Sequence, residues 1–160
     1  WPYKFDVDDL FYYSNHKIMR RGGHLFVADY GMQVNILNRY GIKNYAVKDK
    51  DYIFVNGDSY DFRYANIKII NRYNGVTRVE KNGRVIYNCK IHINGDYIVG
   101  NYSKEDDAAI AYNKAVDILE KKGLTINYNK NYIDGIDEKE YKDRYNTIKI
   151  SKNLINFVLV

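Results

Sequence analysis

Between residues 74 and 102, apolar and polar positions fall in three short runs that two Asn-Gly pairs separate. The middle run has the two-residue period of a strand with one buried face. Its apolar members are Tyr87, Cys89, Ile91 and Ile93, and its polar members are Asn88, Lys90 and His92. Because Asn-Gly is typical of tight hairpin turns, the three runs predict an antiparallel meander of three strands.

The next segment, residues 103–123, has the apolar period of an amphipathic helix. Its apolar stripe consists of Ala108, Ala111, Tyr112, Ala115, Ile118 and Leu119. Ser103 is a suitable N-cap, and Gly123 suits the position after the last turn. Because the first half of the stripe is small, we expect the helix to lie close on the apolar face of the middle strand. The segment therefore predicts a three-stranded antiparallel sheet packed on one α-helix (βββα).

The remaining segments have weaker patterns. Residues 5–21 predict a short helix with an acidic start and then a strand, although a hairpin with its turn at Ser14 and Asn15 also fits. Residues 21–23 predict a loop, residues 24–30 and 43–49 predict strands, and residues 32–40 fit a short helix. A further helix is predicted over residues 137–146. The β-prone end, residues 154–160, is expected to pack back on the body, the alternative being contact with another chain.

Composition limits the classes of protein that the chain can belong to. Of its 160 residues, 46% are hydrophobic and 28% are charged, which is typical of a globular protein. The net charge of +5 permits a nucleic-acid surface without requiring one. A single cysteine excludes an internal disulfide and predicts a reducing, cytoplasmic location. Since no apolar run reaches the length of a membrane span, we expect no membrane partner.

No cluster of residues predicts a metal or catalytic centre. His16, His24 and His92 form no pair at metal-ligand spacing. The acidic residues at positions 6–9 lack the glycine and the closing glutamate of a calcium loop. Cys89 lies on the apolar side of its strand and is expected to be a packed core thiol. We therefore predict no cofactor and no metal.

Residues 73–127 resemble the APETALA/ethylene-response-factor DNA-binding domain. The stretches that carry the resemblance are YNGV (73–76), YNCKI (87–91), VGNYSKEDDAAIAYNKA (99–115) and GLTIN (123–127). Tyr87 stands where the family has a tryptophan, and Tyr102 stands where it has a phenylalanine. The resemblance implies that the outer face of the sheet enters the DNA major groove, which is wide enough for a β-ribbon.

The family's reading positions fall here on Thr77, Lys90, His92, Asp96 and Ile98. Only Lys90 and His92 are side chains of the expected kind, and phosphate would repel the carboxylate of Asp96. Nearby basic side chains are expected to add phosphate contacts. The predicted DNA-binding residues of this region are Thr77, Arg78, Lys81, Arg84, Asn88, Lys90 and His92.

Residues 53–68 resemble the core of HNH homing endonucleases of phages and bacteria, D-H-I-N-G-x-x-x-D-N-R-x-x-N-L-R. The matching residues are Asn56, Gly57, Asp61, Arg63 and Asn66. The family's metal-binding aspartate and general-base histidine are replaced by Ile53 and Phe54, so hydrolysis of a phosphodiester is not expected. The matching residues are expected to serve as turn, ion-pair and helix-cap elements, with Arg63 and Lys68 touching phosphate.

These resemblances predict an α+β chain with three segments. Residues 1–70 form a degenerate, ββα-containing HNH-like half, residues 71–130 form the βββα domain, and residues 131–160 form a C-terminal extension. The predicted function is non-catalytic binding of double-stranded DNA by a phage or mobile-element regulator derived from an HNH homing endonuclease. One alternative is a protein-binding module, for example a phage antagonist of a host defence complex. Another is an active nuclease with an unusual site.

Overall fold

The computed structural model describes residues 2–21, 24–29, 32–43 and 46–159. The chain divides into two compact units, Trp1–Arg72 and Tyr73–Val160. Helices and antiparallel sheets occur together, so the predicted α+β class is confirmed. Of the loop predicted at residues 21–23, Arg21 belongs to a strand and residues 22–23 lie outside the described residues, as does part of the strand predicted at residues 43–49. No helix among the described residues is long and apolar enough to cross a membrane.

The first unit combines one helix with two small antiparallel sheets. Its helix is α1 (Val7–Tyr13), and its strands are β1 (Ile18–Arg21), β2 (His24–Asp29), β3 (Met32–Asn35), β4 (Tyr52–Phe54) and β5 (Ile67–Ile69). Strands β1, β2 and β3 pair in that order, and β4 pairs with β5. Two short 3-10 helices, Ile36–Tyr40 and Tyr64–Asn66, precede β4 and β5 respectively. The predicted order of a helix and then a strand in residues 5–21 is confirmed.

Several predictions for the first unit are wrong. Ser14 is the C-cap of α1, which excludes a hairpin turn at that position. The helix predicted over residues 32–40 is a strand and then a 3-10 helix, because the Asn35 side chain accepts a hydrogen bond from the Leu37 N–H at 3.0 Å and starts the turn there. Residues 46–49 contain no strand, only an isolated bridge from Lys48 to Tyr52.

The ββα order predicted for the first half does not occur among the described residues, since no helix follows β5 within this unit. The backbone N–H groups of Ile70 and Asn71 donate to the Asp51 carbonyl at 2.8 and 3.0 Å. The Asn71 side chain also donates to the Asp51 carboxylate at 3.1 Å. These bonds fasten the chain after β5 to the residue before β4.

The core of the first unit is rich in aromatic side chains. Phe5 lies between Tyr13 and Phe62, with ring centroids 4.3 and 5.6 Å away. The backbone beside Phe5 pairs with the 60–62 segment, because the Lys4 N–H donates to Tyr60 and the Phe62 N–H donates to Lys4. The N-terminal residues therefore hold the segment that resembles the HNH core against the rest of this unit.

The second unit contains the predicted βββα arrangement. Its sheet consists of β6 (Val76–Lys81), β7 (Arg84–His92) and β8 (Asp96–Tyr102), in that order and antiparallel. The first hairpin turns on Asn82 and Gly83, both with positive φ, which is the type I′ geometry that Asn-Gly favours. In β8, Gly100 pairs with Cys89 and Ile98 pairs with Lys90, so one extra residue, Val99, forms a bulge.

Helix α2 (Glu105–Lys121) packs on the inner face of this sheet, as predicted. Its small side chains are fully buried in the same core as Cys89, whose thiol pKa burial raises to about 12. The predicted N-cap is wrong, since Lys104 and not Ser103 precedes the helix. Strand β8 continues to Tyr102, so Ser103 and Lys104 are both needed for the turn. Gly123, with φ of +92°, follows the last turn as predicted.

Residues 131–159 belong to the second unit and do not form a separate body. Helix α3 (Glu138–Thr147) is N-capped by Asp137, close to the predicted bounds. The end that the sequence marks as β-prone contains no strand among residues 154–159, and α4 (Lys152–Ile155) covers its start. The Ser151 N–H donates to the Val99 carbonyl at 2.8 Å and anchors the start of α4, whose Leu154 is fully buried in the core.

Two polar clusters join this C-terminal segment to the sheet and to α2. Asn131 exchanges two hydrogen bonds with Asn113, at 2.7 and 2.8 Å, and two more with the backbone of Asn74, at 2.7 and 3.1 Å. Arg144 on α3 donates to Asp106 at 3.1 Å and to Asp107 at 3.0 Å in the first turn of α2. The Arg144 hydrogen bond holds the pKa of Asp106 below its ordinary value.

Candidate functional site

The face of the β6–β7–β8 sheet that points away from α2 is called the outer face below. Strand pairing shows which residues lie on the outer face. Val76 and Cys89 are buried partners on the inner face, so their neighbours Thr77 and Asn88 point outward. The outer face contains Thr77, Val79, Lys81, Arg84, Ile86, Asn88, Lys90, His92, Asp96, Ile98 and Asn101. Six of the seven residues predicted for DNA binding in this region lie on it.

Arg78 does not join the outer face. It pairs across the strands with Tyr87, which packs against the core under α2. Its guanidinium contacts Glu80, the next residue on the same side, at 2.9 Å. The inward direction of Arg78 could have been predicted from the sequence. Residues 76 and 78 of a strand point to the same side, and Val76 is apolar.

The outer face carries more positive than negative side chains. Lys81, Arg84 and Lys90 are exposed cations, and Asp96 is the one carboxylate in the group. Lys81 lies directly opposite Arg84 in the pairing, and like charges in that position destabilise a sheet. The Asp96 carboxylate lies 3.3 Å from Nδ1 of His92 and not against any of the three cations. This arrangement leaves positive charge available to an anionic partner.

Amide and apolar side chains separate these charges. The Asn88 side chain donates to the Asn101 side chain at 2.9 Å across β7 and β8. A shallow groove of about 360 Å³ runs beside this pair, between Lys81 and Lys90. Val79 and Ile98 border the groove and remain 40% and 55% exposed. The face therefore combines hydrogen-bonding groups, cations and a small apolar surface.

Ile98 and Asn101 share the outer face only because of the bulge at Val99. An uninterrupted strand would send residues 98 and 101 to opposite sides, since their separation is odd. The extra residue in β8 reverses the alternation, so both side chains point outward. Sequence reasoning missed Asn101 for this reason.

In the first unit, the residues that match the HNH core form one hydrogen-bonded network around Asp61. Both carboxylate oxygens of this fully buried side chain accept bonds from Arg63, at 2.8 and 2.6 Å, and one also accepts from the Asn56 side chain at 2.9 Å. The Asn66 side chain accepts from the Asn56 N–H at 2.9 Å and donates to the Asp61 carbonyl at 3.0 Å. The Arg63 hydrogen bonds hold the pKa of Asp61 well below its ordinary value.

The network accounts for most of the roles predicted for these residues. Gly57, with φ of +79°, forms the turn after β4, and Asp61 with Arg63 forms the ion pair. Asn66 is the last residue of a 3-10 helix, and its side chain braces the turn instead of capping the helix. Sequence spacing located these residues correctly, but the direction of each hydrogen bond depends on the folded loop.

The positions of the HNH catalytic pair are apolar and mostly covered. Phe54 is buried, and Ile53 is half-buried opposite Lys68 on β5. Across the part of the chain that the structure describes, no three or more His, Cys, Asp or Glu side chains cluster so as to hold a metal ion. Arg63 and the exposed Lys68 remain the two predicted phosphate contacts of this unit.

Comparison with known proteins found no match to a family model, to a curated protein or to a solved structure. The resemblances to the DNA-binding domain and to HNH endonucleases therefore depend on the motif residues named above. The functional conclusions below rest on those residues and on the geometry of the outer face.

Proposed function

We propose that the outer face binds double-stranded DNA and that the protein does not cut it. The observation that carries this proposal is the grouping of Lys81, Arg84 and Lys90 with Asn88 and Asn101 on one face of a three-stranded sheet. Lysine and arginine neutralise phosphates, while asparagine amides both donate to and accept from base edges. The face thus has the two kinds of contact that groove recognition needs.

The opposed Lys81 and Arg84 favour a phosphate partner in particular. Their repulsion costs the free protein some stability, and an oxygen anion placed between the two cations would remove that cost. They lie at the first hairpin, at one end of the sheet, whereas Lys90 lies further along β7 toward its second turn. Cations at separate points along a strand can contact phosphates on both sides of a groove while the amides between them approach the bases.

The first unit would add support and phosphate contacts without chemistry. Ile53 and Phe54 provide no metal ligand and no general base, and the matching residues around Asp61 bond to one another. A protein derived in this way from an HNH homing endonuclease of a phage or mobile element would keep its DNA-binding domain and act as a regulator. This origin follows from the motif resemblance alone.

Reversal of one outer-face charge tests the DNA proposal. Lys90→Glu is expected to weaken binding to a short random-sequence duplex by about tenfold or more, because a phosphate contact becomes a repulsion. The slope of log binding constant against log salt concentration should also become shallower by about 1. Fluorescence anisotropy between about 50 and about 200 mM salt measures both quantities.

The matched control is Lys142→Glu, an equal charge change at an exposed position on α3. It is expected to leave both affinity and salt slope within about twofold of the wild type, since α3 packs on α2 and not on the outer face. An equal loss in the two variants would mean that net charge alone drives binding. Absence of binding by the wild type at low salt would contradict the DNA proposal.

The exposed Val79 and Ile98 favour a second candidate, a protein partner for the same face. Exposed apolar side chains beside a groove are typical of protein-binding surfaces, while cations around them provide a polar rim. Val79→Ser with Ile98→Ser is expected to abolish binding to such a partner and to leave the cations in place. A photo-crosslinker at position 98 would then capture one defined protein, and the same crosslinker at Lys142 would not.

A further inference from the structure

The first unit contains a pocket of about 340 Å³ between its two sheets that no part of the proposed function uses. Its floor is apolar and includes the buried side chains of Leu25, Phe54 and Phe62. Its rim is polar and includes Arg20, Lys48 and Ser59, among others. The volume lies within the range of small-molecule sites, and this division into apolar floor and polar rim is their usual composition.

The rim of the pocket is positively charged. Arg20 and Lys48 line it, and no carboxylate among the described residues does. The guanidinium of Arg20 lies over the Tyr60 ring, 5.0 Å from its centroid, which limits the directions it can take. Neither cation forms an ion pair with a described residue, whereas the nearby Asp51 is engaged by Lys43 at 3.3 Å. No described carboxylate therefore lies within ion-pair distance of either rim cation, although Asp49 and Asp51 lie close enough to act on Tyr52 of the same pocket.

A buried nitrogen of one pocket residue, His24, lacks a hydrogen-bond partner among the described residues. Nδ1 of His24 is inaccessible to solvent and bonds to no group within the part of the chain that the structure describes. Buried polar atoms in folded proteins nearly always have a partner, because an unmade hydrogen bond costs free energy. The His24 ring lines the same pocket as Arg20 and Lys48, so its NMR signals can report a molecule bound there, although the solvent-inaccessible Nδ1 is not counted as a contact of that molecule.

We propose that this pocket binds a small phosphate monoester of mononucleotide size, with its phosphate between Arg20 and Lys48 and its ring on the apolar floor. Charge-assisted hydrogen bonds from a guanidinium and an ammonium suit a phosphate dianion. The aromatic side chains Phe54, Phe62 and Tyr52 offer faces and edges on which a flat ring packs. The proposal is for binding alone and assigns no reaction to the pocket; no metal-binding cluster occurs among the described residues.

Isothermal titration calorimetry of the full chain tests this proposal, with thymidine 5′-monophosphate, thymidine and inorganic phosphate as probes. The monophosphate is expected to bind the wild type more tightly than either of the other two, because only it fills both floor and rim. The double variant Arg20→Gln, Lys48→Gln should lower its affinity by about tenfold or more. The control is the double variant Arg21→Gln, Lys50→Gln. Arg21 and Lys50 are exposed and close in sequence to Arg20 and Lys48, but they do not line the pocket. This control should change the affinity for the monophosphate by less than about twofold.

Histidine NMR signals locate the binding event. The chain has three histidines, so the ring signals of His24 and His92 can be followed separately while the monophosphate is added. Movement of the His24 signals alone would support the proposal. Equal movement of the His92 signals would overturn it. An equal loss of affinity in the Arg21→Gln, Lys50→Gln control, or no binding of the monophosphate by the wild type at millimolar concentration, would also overturn it. The outer-face variant Lys90→Glu should bind the monophosphate with wild-type affinity. A negative result for the pocket therefore leaves the DNA proposal intact, and a negative result for DNA leaves the pocket proposal intact.

Competition distinguishes the two sources of such a phosphate. An oligonucleotide with a 5′-phosphate that displaces the monophosphate better than the same strand without it would assign the pocket to strand ends. Weak and equal competition by the two strands would assign it to free mononucleotides. Strong and equal competition would indicate binding of backbone diesters and would overturn the assignment to a monoester.

Discussion

Replacement of Gly75 by alanine is expected to lower the free energy of unfolding of the second unit by about 3 kcal/mol. Gly75 has φ of +76°, where a side chain is strained. An added Cβ would lie 2.6 Å from the Lys90 carbonyl oxygen and would also overlap the Tyr112 ring. Neither neighbour can withdraw easily, because the Lys90 N–H is bonded to the Gly75 carbonyl at 2.9 Å and Tyr112 is buried on α2. Hydrogen exchange of second-unit peptides in increasing denaturant measures the loss.

Gly83→Ala is the matched control for this change. Gly83 has nearly the same backbone angle, φ of +73°, but no atom lies within 4 Å of the position that its Cβ would take. Its cost should therefore be the backbone strain alone, about 1 kcal/mol. Equal losses in the two variants would show that the contact of Gly75 with Lys90 and Tyr112 yields easily. The difference between them reports how rigidly α2 holds the strand that carries Lys90.

Asp61→Asn is expected to destabilise the first unit by about 3 kcal/mol at neutral pH. The substitution keeps the shape of the side chain but removes the charge that Arg63 contacts with two nitrogens. It also places an amide N–H₂ where the Asn56 side chain and Arg63 need acceptors. Hydrogen exchange of peptides from the 54–66 segment should increase, and urea denaturation of the first unit should shift to lower concentration.

The same variant predicts a change in the pH dependence of stability. The folded state holds the pKa of Asp61 below the value of about 3.9 that an aspartate has when unfolded. The contribution of Asp61 to the free energy of unfolding is therefore complete above the unfolded pKa. This contribution is lost as pH falls through about 4 toward the lower folded pKa. The wild-type first unit should lose stability over this acid range, whereas Asp61→Asn should lose less, because its residue 61 no longer titrates.

Asp58→Asn is the control for both measurements. The Asp58 carboxylate is partly exposed and lies 3.8 Å from the Lys4 ammonium, and such surface pairs contribute little. Its loss should cost less than about 1 kcal/mol and should leave the acid dependence nearly unchanged. A cost for Asp61→Asn that is no larger than the cost for Asp58→Asn would contradict the structural role of the Asp61 network.

The Asp61 network also bears on the two phosphate contacts predicted for the first unit. Arg63 already has two of its nitrogens on Asp61, so a phosphate would have to share a guanidinium that stabilises the loop. Lys68 is exposed on β5, and it has no such structural commitment among the described contacts. Of the two residues, Lys68 is therefore the better candidate for a contact that can be removed without loss of stability.

The local pattern of the chain was sufficient to predict the βββα part of the second unit. Strand alternation, an Asn-Gly turn and the apolar stripe of residues 108–119 are signals between near neighbours, and each predicts an element by itself. The βββα order and the faces of β7 followed correctly, including the outward direction of Asn88 and Lys90. Segments with weak local signals were predicted poorly, as in residues 32–40, where a hydrogen bond from the Leu37 N–H to the Asn35 side chain marks the end of a strand.

Contacts between distant parts of the chain decided the rest. The bulge at Val99 reverses the alternation of β8 and brings Ile98 and Asn101 to the same face, which no two-residue period predicts. The pocket of the first unit collects residues from positions 20 to 62, and its rim charges have no common motif. The sequence by itself determined the elements with strong local signals, namely the βββα order and the polar side of β7, because those properties depend on adjacent residues. Only the tertiary structure decided which polar residues meet, because that depends on strand pairing and on packing across long separations.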